Sequence, residues 1–336
     1  MKKHALVSGG AGFIGSHLVD RLLKEFELVT VIDDFSTGKM KNLALARETG
    51  RLQILQGDIC DEVFLQSQFK YEEVDQVYHL ATHCVRSSIH DPVRNHQVNT
   101  TGTLNLLIAS HRAKVKRFIY CSSSEVFGDA LTLSQTRALK EDDLKKPTTI
   151  YGASKLAGEH YTEAFHKTYG LPVVIVRPFN AYGPRSHLVG PRGEVIPRFF
   201  YFAQHQKPFP IFGQGEQTRD FSYVTDIVEG IVKAAQCDAL EGTVIHLGSG
   251  VETSVEALAR KIESCLHLSC ERETYPQRLG EVPRLWADIT RAKKWLGFAP
   301  KVSLEHGLEK TWEWLQKQPS PSQSVEASNW KPPLFQ

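Results

Sequence analysis

The chain has 336 residues, 41% of them apolar and 23% charged, with a net charge of +2. That is room for one large α/β unit or two modest domains of ordinary globular composition. The near-neutral balance excludes the strong basic field of a nucleic-acid binder, and no apolar run is long enough to span a bilayer.

The first apolar run, 4–8, leads directly into Gly9-Gly10-Ala11-Gly12-Phe13-Ile14-Gly15 and then an amphipathic pattern through Leu23. Strand, glycine turn and helix in that order make a seat for a dinucleotide pyrophosphate. Gly9 permits the turn, Gly12 lets the backbone approach the phosphates, and Gly15 lets helix and strand pack closely. The helix N-terminus adds free N–H groups and a positive dipole end. A second run, 28–32, ends in Asp33. A carboxylate at that place bonds ribose hydroxyls and repels a 2′-phosphate, which favours NAD over NADP.

Further strands are expected at 52–56, 76–80 and 117–121, with a helix over 93–113. Alternating strands and helices imply a parallel, doubly wound sheet with both faces covered. Its ligand belongs at the carboxyl ends of the strands, where Asp58 and Leu80-Ala81-Thr82 fall. Ser122-Ser123-Ser124 follows the fifth strand. Tyr151 and Lys155 stand at i and i+4, on one face of a helix over 151–168. An ammonium beside a phenol stabilises the phenolate, so Tyr151 is expected to fall toward neutrality and act as a base.

From Arg177 glycine and proline become dense, which reads as loop-rich structure broken by a helix near 195–206. The run 243–247 looks like a strand returning to the sheet. Helices at 253–267 and 303–317 follow, then a Pro/Ser/Gln-rich tail. The six cysteines are scattered, with no Cys-x-x-Cys; no disulfide framework or metal site is expected, and a reduced cytoplasmic setting fits them. The N-terminus enters a strand at once, so no signal peptide is expected.

Taken together, the strings GGAGFIG (9–15), HLA (79–81), SSSEVFG (122–128), YGASK (151–155), RPFNAYGP (177–184) and TRDFSYVTD (218–226) resemble the extended short-chain dehydrogenase/reductase family. The resemblance spans residues 4–316 and lies with the nucleotide-sugar epimerases, dehydratases and decarboxylases. It implies a Rossmann-type α/β fold over 1–176, with returning segments near 222–248. A smaller, interleaved substrate domain would occupy 177–317 and a tail 318–336. It implies NAD, a nucleotide-diphosphate sugar (a UDP-sugar foremost) and a homodimer through the helices 93–113 and 151–168.

By the same resemblance Ser123 binds the sugar 4-OH, Tyr151 takes its proton, and Lys155 holds the nicotinamide ribose and tunes Tyr151. Phe13, Ile14, Ile59, Asn99, Ser122 and Pro178 join the cofactor site. Asn180, Val195, Phe212, Arg219 and Arg278 face the substrate, the two arginines clamping its diphosphate. Phe127 departs from the usual tyrosine. Leu285 replaces a pocket-limiting tyrosine, leaving room for an N-acetyl group.

Such relatives first make a 4-keto sugar and then diverge. A 4-epimerase needs no further acid or base; a 4,6- or 5,6-dehydratase must remove the C5 proton and protonate the departing 6-OH. Glu125, acidic as in dehydratases and decarboxylases, points to dehydration, with Ser124 or a water assisting at C6. Epimerisation is the alternative. Decarboxylation fits less well, because Pro191-Arg192-Gly193-Glu194 carries an acid where those relatives carry an arginine, and so does a non-catalytic NAD-binding module, which would not need Ser123, Tyr151 and Lys155 together.

Overall fold

The computed structural model describes residues 3–71, 73–130, 137–189, 193–278 and 280–319. Arg192 and all but the first two residues of the expected tail lie outside these ranges. Seven strands form one parallel sheet: β1 (His4–Ser8), β2 (Leu28–Asp33), β3 (Leu52–Gln56), β4 (Gln76–His79), β5 (Arg117–Cys121), β6 (Val173–Pro178) and β7 (Thr243–Leu247). Their order is β7-β6-β5-β4-β1-β2-β3. The chain runs outward from β1 in one direction and resumes at β4 on its other side, so a crevice opens between those strands.

The principal helices are α1 (Phe13–Leu22), α2 (Glu62–Tyr71), α3 (Thr103–Arg112), α4 (Ile150–Tyr169), α5 (Val195–Gln204), α6 (Val224–Gln236), α7 (Val255–Leu266) and α8 (Leu304–Gln316). Strand side chains alternate between two cores, as a pleat with both faces covered requires. Ala5, Val7, Val29, Ile119, Val174 and Val176 enter the core that also holds α1 and α6 residues. Leu6, Val77, Phe118, Tyr120, Val173 and Ile175 enter the core lined by α2 and α3 residues. Phe199, Phe209, Leu258 and Leu308 belong to a third core built beyond the sheet; there Phe199 and Phe209 stack with centroids 4.5 Å apart.

Two elements differ from the sequence reading. The segment expected as one helix over 93–113 is divided: Pro92–His96, then a π-helical stretch Gln97–Gly102, then α3. Such bulges widen the backbone spiral where a side chain must be aimed, and here the bulge carries Asn99. The strand β6 was not expected at all. Its residues Val173-Val174-Ile175-Val176 are continuously apolar and buried, the signature of a strand covered on both faces. The returning strand β7 pairs with it in parallel, from Thr243 opposite Val174 to Leu247 opposite Pro178.

Candidate active site

The glycine turn occupies the crevice. Gly9 adopts φ +72°, and a Cβ there would lie 2.6 Å from the Ala81 nitrogen, so both conformation and space demand glycine. A Cβ on Gly15 would run into the Gly9 carbonyl oxygen. The α1 N-terminus therefore stays open above the turn, with no side chain capping it. Asp33 closes one side. Its Oδ2 accepts from the Ala11 N–H at 2.8 Å and its Oδ1 from the Phe35 N–H at 2.9 Å. Burial pushes this carboxyl up, and the two N–H groups pull it back. Farther out, burial works against the Asp58 carboxylate, but the Cys60 N–H and Arg94 hold it below its usual range. Arg94, which the sequence reading did not single out, reaches Asp58 at 2.8 Å and Asp34 at 3.3 Å.

A cleft of about 560 Å3 runs from this turn past the ends of β4, β5 and β6. Its wall includes Phe13, Ile14, Ile59, Leu80, Ala81, Thr82, Pro178, Asn180 and Val195. Asn99 stands behind the wall. Its Oδ1 accepts from the His83 N–H at 2.7 Å, and its Nδ2 donates to the Ser154 Oγ at 3.0 Å. It therefore fixes the loop after β4 against α4.

Helix α4 begins at Ile150, where the Thr149 hydroxyl accepts from the Gly152 N–H at 3.0 Å, and it ends at Gly170 with φ 68°. Its first turn packs onto the turn after β5. A Cβ on Gly152 would strike the Glu125 carbonyl oxygen, so the glycine inside Tyr-Gly-Ala-Ser-Lys lets Tyr151 come up to that turn. Ser123 lies near enough to the Tyr151 phenol to favour its ionised form. Ser122, Ser123, Ser124, Glu125, Tyr151 and Lys155 all line the cleft.

The electrostatics correct one expectation. Burial pushes the Tyr151 phenol above its ordinary value, and only Ser123 works the other way. The Lys155 ammonium is engaged elsewhere: Nζ donates to the Cys121 carbonyl at 2.6 Å and lies 4.8 Å from the Tyr120 ring centroid. Burial pulls Lys155 itself down to about 8. Within the protein alone, then, Lys155 ties α4 to β5 rather than activating the phenol.

Behind this wall Arg177 and Glu159 form a two-pronged pair, Nε to Oε1 at 2.7 Å and Nη2 to Oε2 at 2.6 Å. Both are almost wholly buried. Glu159 also accepts from the Ser122 hydroxyl, and Arg177 Nη1 donates to the Glu141 carbonyl at 2.8 Å. Phe127 lies in the core with the Arg177 guanidinium 5.0 Å over its ring, away from the cleft. Leu285 is likewise fully buried in the core, away from the cleft wall where a pocket-sizing residue was expected.

Phe212, Arg219 and Arg278 gather just outside the cleft wall. Arg278 lies 3.7 Å over the Phe212 ring. Arg219 meets Glu281 at 3.0 Å and Arg278 meets it at 4.0 Å. Burial pushes the Glu125 carboxyl up; Arg219 and Arg86 pull it back, while Glu281 adds to the push. Arg86, on the cleft wall with Glu194, had no assigned role in the sequence reading, which took Glu194 only as an acid disfavouring decarboxylation. The signal was the Arg86 charge placed a few residues beyond a strand end, where ligands bind.

Glycine cradle, switch-point crevice and Ser–Tyr–Lys set together define the short-chain dehydrogenase/reductase class. The family described as GDP-mannose 4,6 dehydratase matches residues 6–311, and the chain belongs to it, within the extended branch of nucleotide-sugar epimerases, dehydratases and decarboxylases. It is 35% identical to the UDP-N-acetyl-alpha-D-glucosaminuronate decarboxylase of Bacillus cytotoxicus, over 94% of this chain and 99% of that protein. It is 36% identical to the UDP-glucose 4-epimerase of Mycolicibacterium smegmatis, over 93% and 98%. The dTDP-glucose 4,6-dehydratase of Streptomyces venezuelae, solved with NAD bound, superposes with a TM-score of 0.87 at 30% identity, covering 93% of this chain and 97% of that one.

Proposed function

We propose that this chain is an NAD-dependent nucleotide-sugar dehydratase working through a 4-keto hexose. NAD would lie with its pyrophosphate over Gly9–Gly15 and its ribose at Asp33. Bound there, it supplies the acceptor and donor of the sugar's hydride. Ser123 would hold the 4-OH and Tyr151 would take its proton. Lys155, anchored on Cys121, would fix the nicotinamide end, and Arg219 and Arg278 would meet the diphosphate. Once C4 is a ketone the C5 proton is acidified, and Glu125 would be the carboxylate that removes it.

The observation carrying this reading is the Glu125 carboxyl on the wall of the cleft that Ser123 and Tyr151 also line. Epimerisation at C4 has no use for such a group. The 4-epimerase remains the second reading, because Ser124 offers no strong acid at C6. A uronate decarboxylase fits less well, since Glu194 on the cleft wall offers no cation for a uronate carboxylate, where those relatives carry an arginine. A homodimer belongs to the same proposal: Val93, Ile150, Tyr161 and Tyr169 leave apolar surface exposed on the helices named for it.

Incubation with UDP-glucose, UDP-N-acetylglucosamine and dTDP-glucose, read by product mass, tests the reaction. Loss of one water is expected. An isobaric product inverted at C4 overturns the reading in favour of epimerisation. Glu125→Gln should stop product release while bound NAD still becomes partly reduced.

A further inference from the structure

We propose that Glu194 is the proton donor to the departing C6 oxygen. This inference rests on the dehydratase reading and assigns the step that reading leaves open. Elimination across C5–C6 needs a base at one carbon and an acid at the other oxygen. Glu125 supplies the base. Its neighbour Ser124 is a neutral hydroxyl, a poor source of a proton.

Glu194 has the position and the state for the task. It is the residue before α5, on the wall of the same cleft as Glu125. Its Oε2 is buried and has no hydrogen-bond partner among the described residues. Such an orphaned buried oxygen asks for an explanation, and a reacting group is one. Burial pushes its carboxyl up to about 8, against the pull of Arg86 and of a His187 backbone hydrogen bond. At neutral pH it therefore carries a proton to give.

The charged groups around it complete the argument. Arg86 interacts with both Glu194 and Glu125, and with Glu281 and Arg219 beyond them. His187 lines the cleft alongside Glu194, and the Arg198 side chain comes up from α5 against Gly193. Arg86 thus stands where it can stabilise the carboxylate that Glu194 becomes.

The step balances without an added oxidant or reductant. The C5–H bond breaks and its proton passes to Glu125. The electron pair forms the C5–C6 double bond. The C6–O bond breaks, and its oxygen takes the Glu194 proton and leaves as water. Glu194 then regains a proton from solvent.

Glu194→Gln, assayed in D2O with the three sugar nucleotides above, separates the two half-steps. Water loss should fall about a hundredfold or more, while deuterium still enters C5 through Glu125. Glu194→Asp should restore part of the elimination. In the unaltered enzyme water loss should decline as pH rises past about 8, and this limb should vanish in Glu194→Gln. Elimination at the unaltered rate in Glu194→Gln overturns the proposal. So does equal loss of C5 exchange and elimination, which would mark a positioning role. An unaltered enzyme that releases no water from any of the three refutes the dehydratase reading itself, and the proton-donor assignment with it.

Discussion

Replacing Arg177 with methionine tests how the catalytic turn is held. The substitution removes the cation from Glu159, whose carboxylate then stays buried opposite an apolar side chain. It also strips the Glu141 carbonyl of its donor. Breaking one side of such a pair costs about 3–5 kcal/mol. With an unfolding entropy of about 2.1 cal/mol/K per residue, this lowers Tm by about 4–7 °C. Pairing Arg177→Met with Glu159→Met removes both charges, so the double variant should recover much of that loss. Its remaining deficit comes from the Ser122 hydroxyl, which loses its acceptor, and the Glu141 carbonyl, which loses its donor. Circular dichroism melts of the four proteins read the cycle directly. If the double variant melts no higher than Arg177→Met, the buried pair is not the source of the loss and the reasoning fails.

Gly152→Ala drives a methyl into the Glu125 carbonyl and within 3.0 Å of Pro147; overpacking of this kind costs about 1–3 kcal/mol, and turnover should fall further than stability, as kinetics beside thermal melts will show. Glu194 holds a proton in the folded state up to about 8, whereas an unfolded carboxyl loses it near about 4.3. The native state thus binds the extra proton between those values, and its stability falls as pH rises across them; Glu194→Gln should flatten this slope in urea titrations at stepped pH. Val93→Glu with Tyr161→Glu should convert the proposed dimer to monomer by light scattering, and an unchanged mass would place the interface elsewhere. Gly15→Ala should abolish co-purified dinucleotide, measured by absorbance after denaturation, because its methyl occupies the space of the Gly9 carbonyl.

Much of the sheet could be read from sequence because its strands are short apolar runs bounded by turn residues. The run 117–121 became β5 without adjustment. The run 173–176 is just as apolar, but it lies between a long helix and a proline-rich stretch, and that setting hid it. The π-helical stretch at Gln97–Gly102 holds a single apolar side chain, Val98, so periodicity had nothing by which to divide the helix. At the site, motif spacing located Ser123, Tyr151 and Lys155, because helix geometry fixes where i and i+4 fall. It could not tell that Lys155 would bond to Cys121, since that partner is distant in sequence. Arg86 escaped for the same reason, and Glu194 could be read only as an acid where decarboxylases carry an arginine; the nearness of the two belongs to the fold.

The pairing of β6 with β7 also bears on how the chain is made. Until Leu247 has left the ribosome, β6 is the outer strand of an unfinished sheet. Its unpaired N–H and C=O groups then face solvent beside a run of valine and isoleucine. A nascent or truncated chain ending near Arg177 would offer that edge to any other extended segment. Production of the first 176 residues alone should therefore yield aggregate, and the natural chain depends on its later half to close the sheet before another chain does.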